Sequence, residues 1–587
     1  MTIEIRRRPP GPPLDFAPDL HPVLRRVYAA RGVAQADDLD LSLERLLPVH
    51  TLERAESAAE LLAAHRAGRV LIIGDFDADG ATGSALLVRA LRALKFAHVD
   101  FLVPNRFRFG YGLTPGIVAL AAEHAPSLIV TVDSGISSIE GVEAARAFGI
   151  AVLITDHHLP GAALPLADVI VNPNLGSSTF ASRALAGVGV AFYVVAALSR
   201  ALGEKEWKAS ELLDLVALGT VADLVPLDRN NRILVSQGLR RIRAGRCVPG
   251  IRALVESAGR RLDQMSAADL GFAVAPRLNA AGRLTDMSIG IACLLAEEPD
   301  RATALAAQLT RLNDERREIE QRMQIEAIEL AAAVRFDDSG GEALGVCLFD
   351  EGWHQGVVGL VAGRLKDRLH RPVIAFARAE GGSLRGSARS VAGIHIRDVL
   401  DGVATRHPGL IEKFGGHAMA AGMSLPEANL EPFRLAFAAE VAARAGGDVL
   451  RGVIHSDGAL CPDEMCLATA RALKAAGPWG QGFPEPVFDG DFIVADVRVV
   501  GARHLKLSLR EAAGGATAGG GRAGGAFSSA SGARCFDAIA FGYADAAVHP
   551  ATLVRPGAAI GLAYRLEINE YNGTESVQLN CQHLYVR

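Results

Sequence analysis

A chain of 587 residues is too long for one hydrophobic core and suits three or four domains. Half of the residues are hydrophobic and 22% are charged, as in an ordinary globular protein. The formal net charge of −5 excludes a molecule-wide basic field, so recognition of a polyanion would rest on local clusters of Arg and Lys. The start, Met1-Thr-Ile-Glu-Ile-Arg-Arg-Arg8, has no apolar core behind its charges and does not read as a signal peptide. No apolar run of about 18 residues reads as a membrane span. The seven Cys are scattered and make no zinc ligand set, which fits reduced thiols and a cytoplasmic location.

In chain order, residues 1–45 read as a Pro-rich, then mildly helical N-terminal extension. From 46 to 290 the pattern is α/β. A helix over 52–67 leads into the apolar strand 70–73, a second helix runs from Thr82, and further strands fall at 99–103, 128–132 and 151–154. Each gap has room for a helix, the arithmetic of a parallel sheet, whose carboxyl edge is where ligands sit. Apolar residues at helical spacing with dense charge between them predict a long connecting helix within 291–340. A second α/β domain is expected over 341–447. Short alternating strands such as 492–500 and 504–510 predict a small barrel or sandwich over 448–587, with a flexible Gly-rich insert at 512–534.

The chemistry-bearing residues concentrate in 74–223. Asp75, Asp77 and Asp79 alternate after a strand, which places three carboxylates on one face if the backbone stays extended. A calcium loop is an alternative reading, but Leu86 stands where that loop needs its last acidic ligand. Asp133 follows another strand, and Asp156-His157-His158 a fourth; Asp223 lies in an apolar stretch where a lone carboxylate needs a cationic partner. Together these groups predict converging ligands at successive strand ends, with imidazole and carboxylate donors suited to a transition-metal pair.

Asp77-Ala-Asp79, Asp133, Asp156-His157-His158 and Asp223, in this order, resemble the four motifs of the DHH phosphoesterase superfamily. Val103–Gly112, Ala275–Leu284 and Gly477–Phe488 are similar to segments of its RecJ exonuclease family, and Gly415-Gly416-His417 resembles the hallmark of the DHH-associated domain. The resemblance implies that Asp77, Asp79, Asp133, His157 and Asp223 hold two metals, usually Mn2+ with Mg2+ as an alternative. Asp133 would bridge them, and His158 would contact the scissile phosphate. Many relatives have a His where this chain has Ile73, and Asp75 is expected to substitute as a ligand. Arg106, Tyr111, Arg277, Asn279, Arg283, Ser387, Arg389, Gly415, Gly416 and His417 are expected to contact DNA or phosphate, with Tyr111 stacking on a base. The terminal barrel would be an OB-fold, drawing on Arg503, Lys506, Arg510 and Tyr571. The implied activity is 5′→3′ exonucleolysis of single-stranded DNA in recombination and repair. The implied molecule is a monomer working beside a helicase and a single-strand-binding protein. The rival readings are a phosphoesterase for short oligonucleotides or cyclic dinucleotides, and a non-catalytic DNA-binding scaffold.

Overall fold

The computed structural model describes residues 3–105, 108–333, 344–379, 382–445, 452–501, 503–511, 534–543 and 554–587. Arg106 and all but the last residue of the Gly-rich stretch 512–534 lie outside these. The chain divides into two compact units, one of Leu41–Leu450 with Gly480–Gly482, the other of Met1–Asp40, Arg451–Trp479 and Phe483–Arg587.

The first unit begins with a five-stranded parallel sheet in the order His98–Leu102, Arg69–Gly74, Leu128–Val132, Ala151–Thr155, Val169–Val171. Three inner strands read as unbroken apolar runs because helices cover both faces. One face buries Leu71, Ile73, Ile129, Val152 and Ile154 against Ile117, Val118 and Val142 of the helices Pro115–Ala122 and Ile139–Ala147. The helices Ala78–Ala93 and Gly187–Ala201 pack together. The strand order reverses between Arg69–Gly74 and Leu128–Val132, and that crevice at the carboxyl edge is the natural ligand site of an open α/β sheet.

Two sequence expectations change here. The helix expected from Thr82 starts at Ala78, because Asp77 caps it by accepting from the amides of Asp79 and Gly80. Asp75, Asp77 and Asp79 therefore do not alternate along an extended strand. Asp223 does not follow a strand either, but sits at the carboxyl end of the helix Leu213–Ala222.

The helix Pro299–Ala333 is 35 residues long and leads toward a mixed five-stranded sheet. Its order is Lys413–Gly416, Ala420–Pro426, Ser383–Arg389, Val373–Arg378, Val346–Phe349, and only the last pair is parallel. Trp353 Nε1 donates to Glu326 Oε2 at 3.0 Å, tying this domain to the long helix.

The second unit contains a closed barrel ordered Phe488–Val500, His504–Glu511, Cys535–Ala540, Thr574–Val586, Ala559–Tyr571. Its third and fifth strands in sequence pair in parallel, which gives the five-stranded Greek-key closure of an OB-fold. No helix of the described residues is long and apolar enough to cross a membrane.

Candidate metal centre and nucleic-acid interface

Four places deliver carboxylates and imidazoles to the sheet crevice: the turn into the helix Ala78–Ala93, the ends of the strands Leu128–Val132 and Ala151–Thr155, and the end of the helix Leu213–Ala222. Donor atoms of Asp75, Asp77 and Asp133 lie within 4.8 Å of one another, as do those of Asp79, His157 and Asp223, and those of Asp133, His157 and His158. Asp133 and His157 each belong to two groups, so the sets are continuous.

Each donor has a local reason for its place. Asp133 follows the strand Leu128–Val132 with φ +58°, a left-handed conformation unfavourable for a side chain, and its amide is held by the Thr155 carbonyl at 3.0 Å. A Cβ at Gly187 would stand 2.6 Å from Asp133 Cβ, so glycine is required for the helix Gly187–Ala201 to approach. Asp79 is wholly buried and accepts from the amides of Gly187 at 2.6 Å and Val188 at 2.9 Å, at the positive end of that helix. It is a ligand candidate and a helix anchor at once.

Electrostatically the cluster is uncomfortable alone. Burial first, then the Asp77 charge, pushes Asp79 up to about 7. Burial and the Asp79 charge raise Asp133 and Asp223 well above the carboxylate range. Burial, with His158 beside it, lowers His157 to about 4 and keeps it neutral. His157 Nε2 stands 2.9 Å from Asp133 Oδ1, yet neither buried atom makes a hydrogen bond. Two lone pairs facing each other beside four further carboxylates are what a cation satisfies, so the donor set fits divalent metal binding. Among the described residues Asp223 pairs with no Arg or Lys of the expected kind; it faces His157, at 3.4 Å.

His158 differs from His157. Its Nδ1 lies 2.8 Å from Asp156 Oδ1; burial lowers the imidazole pKa, but this hydrogen bond and the charges of Asp156, Asp75 and Asp77 together outweigh it and raise the pKa. Asp156 is buried and also accepts from the amides of Ile136, His157 and His158; burial raises its pKa, but the His158 hydrogen bond and charge together with these amides lower it below the usual carboxylate value. The imidazolium form of His158 is thus favoured at the rim of the cluster.

The expected DNA contacts separate into two sets. His417 stacks on His158 with ring centroids 5.8 Å apart, bringing the Gly-Gly-His turn of the second sheet to the metal cluster. A Cβ on Gly415 would meet nothing within 4 Å, whereas Gly416 has φ +147° and backs onto Ala420. Ser387 and Arg389 hydrogen-bond each other at 3.0 Å, and Arg283 donates to the Gly356 carbonyl at 3.3 Å. Tyr111 is not simply a stacking ring: its hydroxyl donates to the Asp133 carbonyl at 3.0 Å and lies 3.2 Å from His158 Nδ1.

Arg277 and Asn279 face the protein instead. Arg277 is 8% exposed, and its nitrogens donate to Thr310 Oγ1 and to the carbonyls of Ala273 and Ser257. Asn279 Oδ1 accepts from the Ala78 amide at 2.8 Å, supporting the start of the Asp77-capped helix. Both were expected on the strength of motif similarity, and a motif does not distinguish a residue that touches substrate from one that positions its neighbours. Sequence reasoning missed Asn172 and Asn174, whose side-chain amides donate to the carbonyls of His158 at 2.9 Å and His157 at 2.6 Å. The pair Asn172-Pro-Asn174 was a visible signal, because Asn flanking Pro is turn chemistry.

The chain matches the DHH family N-terminal domain over residues 69–220, the DHHA1 domain over 341–443, and the RecJ OB domain over 456–520 and 522–583. It is 50% identical to the single-stranded-DNA-specific exonuclease RecJ of Dickeya dadantii over 100% of this chain and 99% of the relative. It is 48% identical to that of Escherichia coli K12 over 99% of each. The crystal structure of RecJ in complex with Mn2+ from Thermus thermophilus superposes with a TM-score of 0.80 at 30% identity, covering 99% of this chain and 80% of that one. Its Mg2+ complex matches with a TM-score of 0.74. With its DHH, DHHA1 and RecJ OB domains and near-complete coverage of its relatives, the chain belongs to the RecJ family of single-stranded-DNA-specific exonucleases.

Proposed function

We propose that the protein is a metal-dependent exonuclease that shortens single-stranded DNA in the 5′→3′ direction, releasing mononucleotides during recombination and repair. The observation that carries this is the continuous set of carboxylate and imidazole donors at the sheet crevice, in a chain with the RecJ domain series. Asp75, Asp77, Asp79, Asp133, His157 and Asp223 would hold two divalent cations, Mn2+ or Mg2+. When bound, the cations supply activation of water and neutralisation of charge at phosphorus. Water adds to the phosphorus joining the first two nucleotides, the bond to the first nucleotide's O3′ breaks, and that oxygen takes a proton.

The chain's own residues orient that event. His158, charged through Asp156, donates to a phosphate oxygen, and Tyr111 holds both the Asp133 backbone and the His158 ring. Gly415, Gly416, His417, Ser387, Arg283 and Arg389 bind neighbouring phosphates, with Arg106 as a further contact. Arg277 and Asn279 act as positioning residues. The working parts are 46–290 for the metals, 291–340 as connector, 341–447 for phosphate grip and 448–587 for single-strand tracking, with 1–45 as an extension. The protein acts as a cytoplasmic monomer, beside a helicase that supplies single strands and a protein that coats them.

Single-stranded DNA labelled at one end or the other, incubated with Mn2+, tests this. Early release of a 5′-labelled mononucleotide by the wild type and none by Asp133→Ala is the expected result. Release of the 3′ label first would reverse the polarity. Turnover of dinucleotides but not of long strands would move the protein to the small-substrate phosphoesterases.

A further inference from the structure

Away from the metal cluster, at the opposite end of the helix Ala78–Ala93, the first unit contains a cavity of about 560 Å³. Four guanidinium side chains line it, those of Arg89, Arg92, Arg241 and Arg246, against two carboxylates, Glu211 and Glu297. From Asp79 to Arg89 and Arg92 the helix rises about 15–20 Å at 1.5 Å per residue, so this site is separate from the metal donors.

The charge of the arginines is only partly met inside the protein, where the buried Asp214 interacts with Arg89 and Arg241. Arg89 uses Nε and Nη2 on the carbonyls of Leu294 and Ala296, and its Nη1 is 3.9 Å from Glu297, whose carboxylate is almost fully exposed. Burial outweighs the nearby charges of Glu297 and Asp214 and lowers the Arg89 pKa. Arg241 Nε is buried with no hydrogen-bond partner. Among the described residues, neither Arg241 nor Arg246 makes a side-chain ion pair. A partly desolvated guanidinium without an acceptor is costly, and a phosphate offers what it lacks: bidentate, charge-assisted acceptors.

The rest of the lining selects among anions. Trp207 borders the cavity together with Leu212, Val248, Pro249 and Leu295, so an aromatic and an aliphatic wall stand beside the cationic one. Pro249 opens the helix Pro249–Ser257, whose positive end adds to the field. Orthophosphate would leave the apolar wall uncovered, and an apolar ligand would leave the guanidiniums unsatisfied. The volume falls within the range of small-molecule pockets and exceeds what a bare anion fills.

We infer that the cavity bounded by Arg89, Arg92, Arg241, Arg246 and Trp207 is a second, non-catalytic binding site for a nucleoside monophosphate, with the phosphate on the arginines and the base against Trp207. Its position gives it a route to the chemistry. Arg89 and Arg92 lie on the helix that begins at Asp77 and Asp79, and Leu295 and Glu297 immediately precede the long helix Pro299–Ala333. A ligand there bridges the two helices and couples nucleotide concentration to the metal-binding end of the first.

Binding is measured calorimetrically on the full-length chain in EDTA, so that the outcome does not depend on the metal centre or on nuclease activity. Deoxyadenosine monophosphate is the probe, with orthophosphate and an acidic peptide ending in Phe as comparators. One saturable site is expected, weakened about tenfold or more by Arg241→Gln/Arg246→Gln, consistent with loss of charge-assisted hydrogen bonds. Trp207→Ala should weaken the nucleotide but not orthophosphate. Circular dichroism of the double variant checks that it is folded, and Asp133→Asn, which spares the cavity, should bind as the wild type does. Equal binding by wild type and the folded double variant overturns the proposal. So does an acidic peptide that binds where the nucleotide does not, or orthophosphate binding as tightly as the nucleotide.

Discussion

The residues around Asp133 show how much of a metal site is built by groups that never touch a metal. Gly187 lets a helix approach within a distance that no Cβ tolerates, and that helix supplies the amides binding Asp79. Gly187→Ala favours the helix itself by propensity but drives a methyl into Asp133. The expected result is a loss of Mn2+ affinity of about 10–100-fold, the usual cost of disturbing a ligand's support, read by titration calorimetry. Retention of full affinity would mean that Asp133 is not a ligand. Asp156 offers a second test. It favours the charged form of His158, so Asp156→Asn lowers the His158 pKa, and the alkaline limb of the kcat/KM profile should shift to lower pH. An unchanged limb would remove His158 from the protonated role.

At the scale of elements, two helix starts, Ala78–Ala93 and Gly187–Ala201, converge on Asp79, and their positive ends offset part of the carboxylate repulsion. The remainder predicts an unusual pH dependence. Asp79 titrates near 7 in the metal-free fold against about 3.9 unfolded, and Asp133 and Asp223 are raised in the same direction. Between these values the folded state holds protons that the unfolded state has lost, so stability falls as pH rises from about 4 to 7. His157, held near 4, opposes this with one proton against three. In EDTA the first unit should therefore melt at a higher temperature at about pH 5.5 than at about pH 8. Mn2+ should reverse the order, because cation binding needs the ionised carboxylates. A metal-free melting temperature that climbs over that range would contradict the clustered assignment.

The same elements show what was legible in the sequence. The strand Leu128–Val132 was readable to the residue, because both faces are buried and the apolar run has sharp ends. The helix after Asp77 was placed four residues late, because three alternating Asp read as strand continuation while the first was already outside the strand and the second a cap. Asp223 was identified as a site residue, but its position at a helix end is set by tertiary packing that no local pattern encodes.

At the scale of the whole chain, the least legible feature is that its two ends belong to one unit. The strand Glu4–Arg7 pairs in parallel with Val453–Ser456, a contact across most of the sequence that no periodicity announces. Arg31 then anchors the assembly. Its Nη1 and Nη2 reach Asp457 Oδ1 and Oδ2 at 2.6 and 3.0 Å, and its Nε donates to the Pro484 carbonyl at 2.8 Å. The guanidinium also lies 5.5 Å from the Trp479 ring centroid, and both partners of the ion pair are about 1% exposed. Removing Arg31 leaves the buried Asp457 carboxylate with only the more distant Arg8 guanidinium, at 3.8 Å, so Arg31→Ala should destabilise this unit by about 3 kcal/mol, the low end for a broken buried pair. Asp457→Asn in the same background should add less than it costs alone, since the charge it removes has already lost its closer partner. Hydrogen exchange resolves this locally: amides of the strands Val453–Ser456 and Phe488–Val500 should lose protection in Arg31→Ala. Those of Leu128–Val132, in the other unit, should keep theirs. Loss of protection in both units together would mean that the chain unfolds as one cooperative body and that residues 3–40 stabilise the nuclease fold as a whole.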